Sequence, residues 1–226
     1  MISSFSLSDI DCHVYLDGKP ETVFYWGTAK GHTDMEAVLK LIKESEGKNF
    51  LLCTFEINDW NSDFSPWEAP PVFGKEGFSG KGTDTLAFIK SRLIPYIEIC
   101  YPEAISAKKV IAGYSLAGLF SLWAALTGNF DNAISCSGSL WFPGWTDFLE
   151  KTALPSSGSN FYISLGDKES KTKNKVMASV ETNTLKTVEY LKAKSSCSFE
   201  WNQGGHFNGS EERMAKAFLS FLHSRK

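Results

Sequence analysis

The sequence predicts an α/β fold, a mostly parallel central sheet with helices on both faces, forming one domain over residues 1–226. Apolar, β-rich runs alternate with helix-like segments from end to end, and this alternation is the signature of parallel strands joined by helical crossovers. No repeat or low-complexity block interrupts it. A chain of 226 residues, 42% of them hydrophobic, is also long enough for one sizeable core.

The elements follow in order. His13 falls in an amino-terminal strand pattern. Runs at Glu21 to Tyr25, Phe50 to Ile57, Lys109 to Gly113, Asn132 to Ser137, Phe161 to Leu165 and Cys197 to Asn202 read as strands, the continuous ones central. A capping box at Thr33-Asp34-Met35-Glu36 starts a helix whose Met35, Val38, Leu39 and Ile42 share one face. Thr83 to Ile99 and Val176 to Ala193 carry similar stripes. Leu116 to Leu126 is apolar nearly all round, as a helix packed centrally on the sheet must be, and Gly128 caps its end. Ser210 with Glu211 and Glu212 caps a last helix with Met214, Phe218, Phe221 and Leu222 inward. Two stretches resist assignment: Asn58 to Lys81, rich in Pro, Gly and aromatic residues, and Trp141 to Ser159, with a short helix near Phe148. Loops of this kind at the carboxyl ends of strands form the ligand crevice in open α/β sheets.

Composition narrows the function. The net charge of −3 and a charged fraction of 22% supply no strong field for nucleic acid or an anionic membrane, so the expected partner is a small molecule. Five scattered cysteines (Cys12, Cys53, Cys100, Cys136, Cys197) form no C-x-x-C pair and read as reduced. The first residues lack a basic segment followed by an apolar one, and no run is long enough to span a bilayer, which points to the cytoplasm. Gly74 to Thr83 lacks the spacing of a phosphate loop. No H-E-x-x-H or zinc-spaced Cys/His cluster is present, so neither cofactor nor metal is expected.

Chemistry concentrates at three places. Lys109 to Gly118, KVIAGYSLAG, runs from a strand through one serine straight into a helix. Ser115 at such a turn projects its hydroxyl above the sheet, and Gly113 and Ala117 are the small residues that the tight turn requires. The pattern is G-x-S-x-A-G, with a methyl at the second small position. A serine nucleophile needs a base. Of His13, His32, His206 and His223, only His206 follows it at a strand end, in Gln203-Gly204-Gly205-His206-Phe207. The carboxylate that orients the imidazole comes from Leu165-Gly166-Asp167-Lys168-Glu169, where Asp167 and Glu169 both preserve the order Ser, acid, His.

Together these segments resemble the esterase family of α/β-hydrolases described as "Putative esterase", whose members include siderophore-ester hydrolases, feruloyl-type esterases and mycolyltransferases. The resemblance runs from about Phe50 onward. It implies an α/β-hydrolase fold with Glu169 as the acid and Asp167 as the alternative. It also implies an oxyanion hole of two backbone N–H groups, one at Leu116 and one in the loop after the third strand, mapped to Ile57 or Asn58. Trp60, Trp67 and Trp141 are candidates for an aromatic substrate wall, although loops of this length also need such residues, with Phe64, Phe142 and Trp145, for a core of their own. The insertion at Trp141 to Ser159 is short beside a lipase lid. The expectation is a carboxylic-ester hydrolase acting through an acyl-enzyme at Ser115. The alternatives are acyl transfer to an alcohol and a catalytically silent binding protein with the same fold.

Overall fold

A computed structural model describes residues 1–31, 35–153 and 155–223. The chain enters as a hairpin, β1 (Ile2–Leu7) and β2 (Ile10–Asp17), whose two turn residues Ser8 and Asp9 both have positive φ, 51° and 64°. A two-residue turn of that hand matches the right-handed strand twist. Next come β3 (Thr22–Ala29), α1 (Met35–Glu44) and β4 (Phe50–Ile57). Thr33 and Asp34 of the expected capping box lie outside the described residues.

The stretch after β4 holds a single helical turn, α2 (Trp60–Asp63), and a two-strand clasp, β5 (Glu68–Ala69) with β6 (Phe78–Ser79). The predicted helix at Thr83 to Ile99 is three pieces: α3 (Gly82–Phe88), a π-turn at Ile89–Leu93 and α4 (Ile94–Cys100). Pro95 explains the wide turn. It lacks the N–H for a bond one turn back, and just before it the Ile94 N–H reaches five residues back to the Ile89 carbonyl.

The remainder alternates regularly through β7 (Lys108–Tyr114), α5 (Leu116–Leu126), β8 (Asn132–Cys136), α6 (Trp145–Lys151), β9 (Asn160–Gly166), α7 (Lys175–Ala178), α8 (Val180–Lys192), β10 (Ser196–Asn202) and α9 (Ser210–Leu222). The stripe at Val176 to Ala193 is therefore two helices, broken at Ser179. The last helix starts one residue differently from expectation. Its N-cap is Gly209, at φ 64°, and the Ser210 hydroxyl bonds Glu211 instead of the helix N-terminus. A glycine there admits the left-handed conformation, in which a cap side chain is not needed.

Eight strands form one sheet in the order β1-β2-β4-β3-β7-β8-β9-β10, parallel from β4 to β10 and antiparallel at the β1–β2–β4 edge. Alternate side chains feed two cores. Val23, Tyr25, Leu51, Cys53 and Phe55 pack with α5, while Phe24, Trp26, Phe50 and Leu52 pack with α1 and α9 on the other face. Helices on both faces follow from that division. After β3 the chain steps one way to β4, and β7 lies on the other side, so the strand order reverses between β3 and β7. A crevice opens at the carboxyl ends of strands at such a reversal. Ser115 follows β7 there. Among the described residues no helix is long and apolar enough to cross a membrane, and all five cysteines are free thiols.

Candidate active site

Ser115 occupies the sharp turn between β7 and α5 at φ 58°, ψ −123°, a conformation that costs a non-glycine residue on the order of 1–3 kcal/mol. The surroundings hold it there. Its N–H donates to the Cys136 carbonyl at 3.0 Å, and its carbonyl accepts from the N–H groups of Gly118, Leu119 and Ser139. Gly113 is required by space: a Cβ there would sit 2.2 Å from the carbonyl carbon and oxygen of Ala117.

The Ser115 hydroxyl lies 2.9 Å from His206 Nε2, and His206 Nδ1 lies 2.8 Å from Glu169 Oε2. With a carboxylate at Nδ1 the proton sits on Nδ1, which leaves Nε2 as the acceptor facing serine. Glu169, and not Asp167, holds this position. Asp167 turns away to accept the Gly204 N–H at 2.7 Å, which shapes the glycine turn before His206. His13 instead pairs with Ser4 and Glu56, and His223 ends α9, while His32 lies outside the described residues.

The Glu169 side chain is almost fully buried. Burial pushes its carboxyl up, but the hydrogen bond and charge of His206, the Ser137 hydroxyl at 2.7 Å and the Gly166 N–H at 2.7 Å outweigh that, so it stays below the usual glutamate range. Its Oε1 also accepts from Arg213 Nη1 at 2.9 Å. Sequence reading missed Arg213, Ser137, Tyr114 and Ser139. The Tyr114 hydroxyl donates to the His206 carbonyl, and Ser139 Oγ lies 3.3 Å from Ser115 Oγ. A signal for Arg213 existed: it shares a four-residue spacing with the buried Ala217 and Phe221, and a charge on an inward stripe demands a partner.

The backbone donors divide. Leu116 opens α5 beside Ser115, and the first N–H groups of a helix have no partner within it. Ile57, however, ends the fourth strand, not the third. The unrecognised hairpin β1–β2 shifts the count, so the loop after the third strand begins beyond Ala29. Ile57 is buried and its carbonyl accepts from Lys30 N–H; neither it nor Asn58 lines a cavity that includes Ser115. The ladder between β3 and β7 stops at Gly27–Gly113, whereas that between β3 and β4 continues to Ala29–Ile57. Because Lys30 N–H points to β4 and successive residues alternate, the Ala29 N–H points to the β7 side, past the end of that ladder.

Residues 10–223 match the family described as "Putative esterase". The chain belongs to this esterase family. One curated relative, the uncharacterized protein YbbA of Bacillus subtilis (strain 168), is 23% identical over 181 residues, 78% of this chain and 72% of that protein. Among solved structures, siderophore hydrolase EstB from Aspergillus nidulans superposes with a TM-score of 0.77 at 17% identity, covering 98% of this chain and 95% of that one. An IroE-like serine hydrolase from Shewanella oneidensis gives 0.77 at 14% identity, with 98% and 79% covered. A ferulic acid esterase gives 0.66 at 14%, with 98% and 95% covered. At these identities the likeness is one of fold, the α/β-hydrolase fold without a large extra domain.

In this esterase two cavities meet at Ser115 and His206. One, of about 350 Å³, is walled by Trp26, Gly27, Ala29, Trp60, Phe207 and Glu211. The other, of about 430 Å³, is walled by Trp60, Phe73, Phe78, Trp141, Met177 and Val180. Of the three tryptophans expected at a substrate wall, Trp60 and Trp141 line these cavities. Trp67 does not: its indole N–H donates to the Pro143 carbonyl at 2.8 Å, and its ring packs on Phe142 and Phe148 in the core of the loops. Phe64, Phe142 and Trp145 are buried in the same core. Phe207, by contrast, is 92% exposed and stands edge-on to the His206 ring at the mouth of both cavities. Among the described residues no cluster of His, Cys, Asp or Glu could hold a metal ion.

Proposed function

We propose that this esterase cleaves a carboxylic ester through an acyl-enzyme at Ser115, with His206 as base and then acid and Glu169 orienting the imidazole. The observation that carries this reading is the hydrogen-bonded chain from Ser115 Oγ through both imidazole nitrogens to a buried carboxylate, 2.9 Å and then 2.8 Å. Family membership supports ester hydrolysis as the reaction.

As Ser115 Oγ attacks the ester carbonyl, its proton passes to Nε2, and the charge on the imidazolium is balanced by Glu169. The carbonyl oxygen becomes an oxyanion. Its donors are the N–H groups of Leu116 and Ala29, which flank Ser115 from α5 and β3; losing one such donor typically raises a barrier by about 2.7–4 kcal/mol. The imidazolium then protonates the departing alcohol, the C–O bond breaks, and the acyl group remains on Ser115. Water, deprotonated by Nε2, repeats the sequence and releases the acid. The two cavities supply room for an acyl group on one side and an alcohol on the other.

Intact mass after a fluorophosphonate probe tests the nucleophile, because such probes label only an activated serine. One adduct on the parent and none on Ser115→Ala is expected. A folded parent that takes no adduct would refute the reading and leave a silent binding protein.

A further inference from the structure

Arg213 comes from α9, outside the three segments that carry the chemistry, yet its guanidinium is 3% exposed and every contact it makes converges on the site. Nη1 reaches Glu169 Oε1 at 2.9 Å, Ser137 Oγ at 2.7 Å and the Tyr114 hydroxyl at 3.2 Å. Nη2 donates to the carbonyls of Gln203 at 3.2 Å and Gly205 at 2.9 Å. One planar group therefore grips the acid with one arm and the turn leading into His206 with the other. Tyr114 extends the grip, since its hydroxyl donates to the His206 carbonyl.

A buried charge is retained against a desolvation penalty of several kcal/mol only where partners compensate it, and here the partner is the carboxylate that also faces the imidazole. That placement has an electrostatic consequence. A glutamate alone beside His206 would favour the protonated imidazole, which cannot act as a base, whereas a guanidinium on its far oxygen offsets part of that pull. Among the described residues the other titratable groups around the pair come from neighbouring elements, beginning with Asp167, which accepts the Gly204 N–H at 2.7 Å in the turn before His206. Burial pushes the Tyr114 hydroxyl and the Cys136 thiol each up to about 12, so both are neutral near pH 7. Glu200 is ion-paired with Lys216, and Glu211, half-buried in the first turn of α9, lines the cavity that holds His206.

We infer that Arg213 is a positioning residue that converts the Ser-His-Glu arrangement into a four-membered unit: it keeps Glu169 ionised and aligned on Nδ1, fixes the histidine turn, and holds the imidazole unprotonated to lower pH. This rests on the esterase reading above.

The test is the pH profile of kcat/KM for the parent, Arg213→Lys and Arg213→Met on one ester, beside thermal unfolding and fluorophosphonate labelling. In Arg213→Met the acid limb should move up by about one pH unit, with kcat down by about 100-fold. Arg213→Lys keeps the charge but not the fork, so its limb should stay at the parent's pH while kcat falls at least about tenfold. A folded Arg213→Met whose limb does not move overturns the electrostatic role. Should that variant fail to fold, the lysine variant decides: kcat within twofold of the parent, or a shifted limb, overturns the inference. Failure of the esterase reading looks different, because the parent itself would then neither label nor hydrolyse.

Discussion

The two sides of Ser115 are built from different forces. Toward Glu169 and Arg213, charged and hydroxyl groups are tied by hydrogen bonds of 2.7–3.2 Å that fix atoms individually. Toward Trp141, Phe73 and Phe78, rings meet edge-on or tilted with centroids 5.9–6.2 Å apart, a weaker and less exacting constraint than those hydrogen bonds. Directional bonds suit a proton relay, which tolerates little displacement. Apolar packing constrains volume more than position and accepts substitution if volume is kept. On the proposed reading chemistry is confined to one side, and selectivity can change on the other without disturbing it.

The sharpest test of that division is on the hydrogen-bonded side. Ser115→Ala and His206→Ala should each lower kcat on a p-nitrophenyl ester by up to about a millionfold if the groups act as a unit. Glu169→Gln should cost about ten-thousandfold, while Asp167→Asn, which only loosens the glycine turn, should stay within a few-fold of the parent. The reverse pattern at the two acids would break the assignment. Glu169→Gln should also destabilise the protein by about 3–5 kcal/mol, because it leaves Arg213 buried without its counter-charge.

That stability effect has a defined pH dependence. Glu169 titrates lower in the folded state than in the unfolded chain, so the unfolded state binds more protons between the two values and stability rises with pH there. The contribution is complete above the ordinary glutamate value of about 4.3 and is lost as pH falls through the folded one. The Tm gap between parent and Glu169→Gln should therefore be constant near pH 6–7 and shrink below about pH 4. A gap that stays fixed down to pH 3 would mean that Glu169 titrates alike in the folded and unfolded chains, so that its partners do not favour its charged form.

On the aromatic side, effects should be smaller and of two kinds. Trp141→Ala should raise KM for bulky acyl groups several-fold with little change for acetate, since the ring walls the larger cavity. Trp67→Ala should lower Tm and leave that acyl preference unchanged, since it packs away from the cavities. Equal effects of the two substitutions on acyl preference would erase the distinction between wall and loop core.

What the sequence made legible follows the same line. Continuous apolar runs such as Phe50 to Ile57 and Leu116 to Leu126 have the bounds of β4 and α5, because elements buried on all sides admit few polar residues to blur the pattern. The hairpin β1–β2 escaped recognition because its first strand, ISSFSL, is a half-exposed edge with three serines, and that omission put the expected second oxyanion donor at Ile57 or Asn58, after the fourth strand, where the proposed one is Ala29, at the end of the third. Ser115 and His206 could be found from motif and chain order. Arg213, Ser137 and Tyr114 reach the site through contacts between residues 32 to 99 apart; the spacing of Arg213 on α9 signals its burial, but no local pattern names its partners.

The smallest expected effect concerns charge. Among the described residues neither cavity is lined by lysine or arginine; the charged side chains facing them are Glu211 and the buried Glu169, and Arg213 is shielded behind the latter. An anionic acyl group would have to leave water for aromatic walls without a counter-ion, an unfavourable transfer, whereas a neutral chain of equal length gains from the same burial. Mono-p-nitrophenyl succinate should therefore show kcat/KM at least about tenfold below p-nitrophenyl butyrate, through KM more than kcat, because the penalty falls on binding and the relay is untouched. If the two esters instead react equally, the acyl chain does not enter these cavities. It then lies along the exposed face of Phe207, and the division of labour across Ser115 would hold for catalysis but not for substrate choice.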